Sequence, residues 1–383
     1  MENRKNIVPA RIKQARESRG YSMGELAELL DISRAVISQY EMGTTSPSWY
    51  IIGQMSNILH YDISFFKKEM PVNDTANSAV FFRSQRTSTQ KMKKAMRQKI
   101  SIFREINDYL NEFVEFPETK LPEIQYNSLM EYDEVPLEDI ERYAMEVRRF
   151  WKLGDGPIEN LMLILQKSGV CVSSMNLKNK KIDAFSVWYN SIPYIFLSNE
   201  KYSNARLRFD MAHELGHLLL HASIFTEDKI SKKVIERKLE AEANAFAGAL
   251  LMPEKSFSKD IYSTSINHFI QLKKKWKVSI ASMIYRCQDL NLLTENQLKY
   301  LKNQMTYNEY WRKEPLDNEI PLEQPFAHRQ AFELLLDNNI VTPSEVVEAI
   351  GCESDEIEEY SFLPKGMLTV EIPSNVIRLR DRA

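Results

Sequence analysis

The chain has little cysteine: Cys171, Cys287 and Cys352 are the only three in 383 residues. None stands at the spacing of a disulfide framework or a thiolate metal site, so a disulfide-stapled secreted fold is excluded. No run of eighteen apolar residues occurs, so no membrane-spanning helix is expected. The opening residues Met1-Glu-Asn-Arg-Lys-Asn6 lack the apolar core of a secretion signal, and the expected location is the cytoplasm. Excess charge is also absent. At a net charge of −3 the whole chain is not polybasic, and any contact with nucleic acid must be local. What is present, 43% hydrophobic and 27% charged residues, describes a globular protein able to bury a core. Its length exceeds one ordinary core, so two or three domains are expected.

The most informative stretch is Arg206-Leu-Arg-Phe-Asp-Met-Ala-His-Glu-Leu-Gly-His-Leu-Leu-Leu-His221. Leu207, Met211, Leu215 and Leu218 recur at helical spacing, so the segment reads as a helix. It contains His213-Glu214-Leu215-Gly216-His217, an H-E-x-x-H pattern. Residues four apart share a face about 6 Å apart along the axis, so two imidazoles at that spacing can reach one metal ion. Glu214, between them, is placed to hold and deprotonate a water. Zinc is the expected ion, because two His plus a carboxylate with an open position is its usual hydrolytic site. Alone, the pattern could equally be an accident of a surface helix, so a third ligand matters. The Ala-rich segment Glu240-Ala-Glu-Ala-Asn-Ala-Phe-Ala-Gly-Ala-Leu-Leu-Met-Pro253 offers one. Glu240 and Asn244 share a face, so Glu240 is the expected ligand and Asn244 an amide able to hydrogen-bond a ligand. Glu242 projects about 200° away around the helix and is the fallback.

Four other residues of this region stay open. His221 lies about 12 Å from His213 along a straight helix, too far for three imidazoles on one ion. It reads as a helix-end residue or a lining of the cleft. Asp210, one turn before His213, either orients a ligand or pairs with Arg206. Tyr189 and Tyr194 are either oxyanion-stabilising groups or packed hairpin residues. Ligation needs neutral imidazoles, so metal affinity should fall below about pH 6.

His-Glu-Leu-Gly-His followed by Glu-x-x-Ala-Asn-x-Phe-Ala and Leu-Leu-Met-Pro resembles the ImmA/IrrE metallopeptidases, which are gluzincin-like zinc proteases. The longer members with an N-terminal XRE-type helix-turn-helix are also similar at Phe81-Phe-Arg-Ser84, Gly154-Asp-Gly-Pro157 and Asp183-Ala-Phe-Ser186. The resemblance fades after about residue 315. It implies that His213, His217 and Glu240 bind zinc and that Glu214 is the catalytic base. It also implies a protein substrate, such as a transcriptional repressor or antitoxin cleaved after stress or mobile-element signals.

Upstream, Ser22 and Glu25 form a capping-box pattern, and Ser33 and Gly43 bracket a helix with Val36, Ile37 and Tyr40 as its buried side. Helix, short turn, helix of this size is the helix-turn-helix layout, and it resembles the lambda-repressor-like XRE family. By that match Arg34, Ala35, Ser38 and Gln39 point outward. Arg reads guanine, Gln reads adenine, and Ala touches a thymine methyl. Glu41 and a nearly balanced charge over 1–70 argue against strong DNA binding by a monomer, so docking on a protein partner stands beside DNA contact. Such readers commonly bind two half-sites, which makes a homodimer plausible, although no dimer seam is legible.

From Arg83 to Arg104 there are basic residues and no acidic one, with Met92, Met96, Ile100 and Phe103 at helical spacing. This is an amphipathic basic helix, either a connector with solvated Lys residues or a phosphate-binding surface. Residues 169–173 read as a strand, and 182–187 and 193–197 as a hairpin around Asn190-Ser191. An edge strand of such a sheet can take an extended peptide by backbone pairing. Thr342-Pro-Ser-Glu345 starts a helix, and Leu368–Ile372 reads as a strand.

The resulting expectation is a mainly α multidomain protein. It has an all-α helix-turn-helix bundle (1–70), a basic amphipathic connector helix (71–125), a central α+β gluzincin-like metallopeptidase domain with a small β-sheet (126–315) and a small C-terminal α+β accessory domain (316–383). The expected function is that of a zinc endopeptidase acting on a partner regulator. The alternative is a DNA-binding regulator or antitoxin whose metal site is structural or sensory.

Overall fold

Side-chain caps set many of the helix starts. Ser22, Ser33, Ser48, Asn160, Ser203, Ser265, Ser279, Thr294 and Thr342 each accept a backbone N–H in the first turn of the helix that follows. The computed structural model describes residues 7–71, 80–82, 90–124, 134–175, 184–198, 203–222 and 233–369. Arg83, Ser84, Arg86, Ile182 and Asp183 lie outside the described residues.

In chain order the first elements are α1 (Pro9–Ser18), α2 (Met23–Leu29), α3 (Arg34–Met42), α4 (Trp49–Leu59), β1 (Val80–Phe82) and α5 (Gln90–Asn111). Then come α6 (Leu137–Phe150), α7 (Leu161–Lys167), β2 (Cys171–Met175), β3 (Ala184–Tyr189) and β4 (Ile192–Ser198). After these run α8 (Asn204–Leu220), α9 (Lys233–Leu251), α10 (Glu254–Asp260), α11 (Ile266–Trp276), α12 (Ile280–Asp289) and α13 (Glu295–Tyr307). The last are α14 (Ala327–Asp337), α15 (Pro343–Ile350) and α16 (Ser354–Ser361). Mainly α is therefore the class. Two compact units arise: Met1–Thr75 with Ser88–Glu115 and Phe326–Ala383, and Ala76–Thr87 with Phe116–Pro325.

In the first unit α2 and α3 form the helix-turn-helix pair, and Gly43, at φ +72°, ends α3 in the left-handed conformation. The bidentate Arg16–Glu41 pair, at 2.6 and 2.9 Å, ties α3 to α1. α5 packs on α1: Arg11 donates to Glu105 at 2.6 Å and Gln14 to Ser101 at 3.1 Å. Met96, Ile100, Phe103, Ile106 and Leu110 are buried along it, so the expected apolar stripe is core, while Lys94 and Arg97 face solvent. α14 to α16 complete this unit. Arg19 binds Glu356 through both nitrogens, at 2.9 and 2.6 Å, and Tyr360 and His328 pack against Phe103.

Among its described residues the C-terminal stretch carries the helices α14 to α16. At the start of the expected strand, Leu368 N donates to Glu358 Oε1 at 2.7 Å in the turn after α16. Residues 370–372 lie outside the described residues.

His328 gives this unit a pH dependence. Burial pushes its imidazole down to about 4 from the ordinary 6.5, and Nε2–H donates to Asn107 Oδ1 at 3.0 Å. The unfolded chain protonates first, so the contribution is complete above about pH 6.5 and is lost as pH falls toward 4. Denaturation at pH 7.5 and 4.5 should show about 3 kcal/mol lost through this group, and His328→Gln should remove that part of the slope. An unchanged slope in the variant would refute the assignment.

The second unit holds a four-stranded sheet in the order β1-β3-β4-β2. β3 and β4 are the expected hairpin, with Asn190 and Ser191 at φ 45° and 63°, the left-handed pair that a two-residue turn requires. β2 joins β4 in parallel, and β1 joins β3 antiparallel, which makes β1 and β2 the outer strands among the described residues. At Gly169, φ +76°, a Cβ would lie 2.6 Å from the Glu118 backbone, so only glycine fits before β2. A core drawn from α6 to α9, the sheet and α10 to α13 fills the unit. Buried pairs reach its far end: Arg208 binds Glu323, and Lys273 binds Glu314 and Asp317. Among the described residues no helix is long and apolar enough to cross a membrane.

Candidate metal centre

Helix α8 carries His213 and His217 on the face turned to α9, and Gly216 between them lets the two helices close. A Cβ there would sit 3.1 Å from Phe246 and 3.3 Å from Ala243 Cα. The alanines of α9 keep its own surface low. This close approach brings Glu240 to the imidazole pair. His213 Nε2 and His217 Nε2 are 3.1 Å apart, and Glu240 lies 3.5 Å from each through Oε2 and Oε1 respectively. The donor atoms of the three residues fall within 4.8 Å of one another.

Such a set fits a divalent ion, since neighbouring donors around a tetrahedral centre with bonds of about 2.1 Å stand about 3.4 Å apart. Hydrogen bonding orients the rings for it. His213 Nδ1–H donates to Asn244 Oδ1 at 2.9 Å, which leaves Nε2 with its lone pair.

Glu214 lies outside this trio and is 1% exposed. It faces β3, where Ser186 Oγ–H donates to its Oε2 at 2.7 Å. This bond was not anticipated, although Ser186 stood within the Asp-Ala-Phe-Ser motif. β1 passes close by, because its Phe81 pairs with Ser186 in the antiparallel register.

Glu242, the fallback ligand, points elsewhere. Its Oε2 lies 2.9 Å from His221 Nε2, and Oε1 accepts Val135 N–H at 2.9 Å. His221 Nδ1 is in turn 2.9 Å from His217 Nδ1. Burial pushes His221 down to about 4 against the upward pull of Glu242. The helical series 213, 217, 221 was the only signal for this arrangement.

Asp210 is buried and lines, with Arg206, Asn244, Tyr285 and Trp311, a cleft of about 690 Å³. The Arg206 guanidinium donates to the carbonyls of Trp311 and Arg312, both at 3.1 Å. Tyr194 is buried and stacked near Phe196, and Tyr189 is buried in the same hairpin, as packed residues are.

On α3 in the other unit, Arg34, Ala35 and Gln39 are exposed and Ser38 is half-buried. Glu41, whose charge counted against DNA, is engaged by Arg16.

Comparison with known proteins bears on both units. Residues 165–288 match the family model described as IrrE N-terminal-like domain, and residues 12–66 match one described as helix-turn-helix. A curated relative is the SPbeta prophage-derived uncharacterized HTH-type transcriptional regulator YonR of Bacillus subtilis (strain 168), 36% identical over 58 residues. The match takes in 15% of this chain and 54% of that protein, so the chain spans about half the length of the relative. Residues 165–288, which contain α8, α9 and the His213, His217 and Glu240 cluster, are thus similar to an IrrE N-terminal-like domain, on a chain whose residues 12–66 are similar to a helix-turn-helix.

Proposed function

We propose that the chain is a zinc-dependent endopeptidase fused to a DNA-binding helix-turn-helix, and that it cleaves a partner regulator, a repressor or antitoxin, to control transcription. The observation that carries this reading is the convergence of His213, His217 and Glu240, with the Glu214 carboxylate on the next residue of the same helix. Zinc held by those three residues would supply Lewis acidity to the scissile carbonyl. Glu214 takes a proton from the attacking water and returns it to the leaving amine. Ser186 holds one oxygen of Glu214 and so fixes the other for that transfer. An extended substrate segment adds to the outer edge of β1, whose register with Ser186 runs it past Glu214.

Protein purified without chelator is expected to carry one zinc per chain. A chelator should stop cleavage of the regulator encoded by the neighbouring gene, and zinc should restore it. Cleavage that survives complete metal removal would exclude the mechanism.

The exposed Arg34, Ala35 and Gln39 favour direct DNA contact. Arg34→Ala and Gln39→Ala are each expected to weaken operator binding by about 1–3 kcal/mol in a gel-shift titration. Unchanged operator affinity in the double variant would assign α3 to a protein partner instead. The prophage origin of the similar regulator supports a mobile-element setting. A regulator with a structural or sensory metal site is the second reading, and it requires regulation in cells to survive loss of Glu214.

A further inference from the structure

We propose that His221 and Glu242 are a positioning pair that locks His217 in the imidazole tautomer able to ligate a metal. This role rests on reading His213, His217 and Glu240 as a zinc site. The argument is a count of donors and acceptors along one buried chain, Val135 to Glu242 to His221 to His217. Glu242 Oε1 accepts Val135 N–H at 2.9 Å, and Oε2 faces His221 Nε2 at 2.9 Å. A carboxylate only accepts, so His221 carries its proton on Nε2. Its Nδ1 is then the acceptor in the 2.9 Å contact with His217 Nδ1, and His217 must be the donor. That places the His217 proton on Nδ1 and leaves Nε2 with a lone pair, 3.5 Å from Glu240 and 3.1 Å from His213 Nε2.

All three side chains are shielded, with His221 fully buried and Glu242 and His217 each 3% exposed, so water cannot substitute freely in the relay. His213 needs a separate device for the same purpose, and Asn244 supplies it. The two ligand imidazoles are therefore oriented independently, one by an amide and one through a second histidine.

Glu242→Gln tests this with little change of shape. Val135 N–H still needs an acceptor, so the glutamine carbonyl turns to it and the amide NH₂ faces His221. His221 then accepts at Nε2 and carries its proton on Nδ1. It donates to His217 Nδ1, whose proton moves to Nε2 and blocks the ligand position. A merely structural role predicts no such reversal.

The experiment uses full-length, zinc-free protein labelled with ¹⁵N-histidine, reads tautomers by long-range ¹H–¹⁵N correlation, and measures zinc affinity by chelator competition. Expected are Nδ1–H at His217 in the wild type, Nε2–H in Glu242→Gln, and zinc affinity lower by about 100-fold. His221→Phe fills the same space without imposing a tautomer and should cost less, about 10-fold. Zinc affinity of Glu242→Gln within twofold of wild type, or an unmoved His217 proton, would overturn the proposal. So would Nε2–H at His217 in the wild type, a result that needs no variant to fold. A wild type with Nδ1–H that binds no zinc overturns the metal reading alone and leaves the proton arrangement standing.

Discussion

Replacing Glu214 by glutamine is expected to leave the zinc in place while slowing cleavage by about 10²–10⁴-fold, the range supplied by a positioned general base. Glu214 is not one of the three converging ligands, so the substitution leaves the donor set intact. Glutamine matches its size, and an amide can still accept the Ser186 hydroxyl, so the packing against β3 is kept. What disappears is a group able to carry a proton between water and amine. The measurement is single-turnover cleavage of the partner regulator beside the zinc content of the same preparation. Wild-type turnover by the variant would discard the mechanism. Lost zinc would instead place Glu214 among the ligands.

Ending the chain at Pro325 should unfold the helix-turn-helix unit. Phe332, Leu335, Val346, Ile350, Ile357 and Tyr360 are buried in that unit. At about 1.5 kcal/mol each, the low end for such side chains, they contribute roughly 9 kcal/mol. That is comparable with the whole stability of an ordinary domain, about 5–15 kcal/mol. Their loss also strips Glu356 from Arg19 and removes His328 and Tyr360 from Phe103. Hydrogen exchange should show α1 to α5 unprotected in the truncated protein and operator binding gone, with zinc still bound by the remaining unit. Wild-type protection of α1 to α5 would contradict this account.

Local features were the legible ones. An i, i+4 pair of histidines, an Asn-Ser hairpin turn and Ser or Thr caps depend on a few consecutive residues, and short-range geometry decides them. Glu240 could be picked over Glu242 because helical rotation separates their directions, and the two carboxylates do face different histidines. The pairing of His221 with Glu242 was not legible, since it depends on how α8 and α9 roll against each other. Gly216 and the alanines set that roll. The grouping of α14 to α16 with α1 and α5 was equally hidden, because an apolar helical stripe does not name its partner. A three-residue strand such as β1 carries too little pattern to be assigned to β3 in advance.

The order in which the chain is made gives this interleaving a consequence. The ribosome releases α1 to α5 first, yet α14 to α16 emerge only after residues 116–325 have been synthesised. At about 5–20 residues per second that delay is on the order of 10–40 s. Throughout it the nascent first unit lacks the helices that close its core, so on the proposed reading an unfinished polypeptide would not bind an operator. Fragments that stop before α14 would lack the helices that complete the first unit, so on the proposed reading every copy able to bind DNA would also have been translated through residues 165–288.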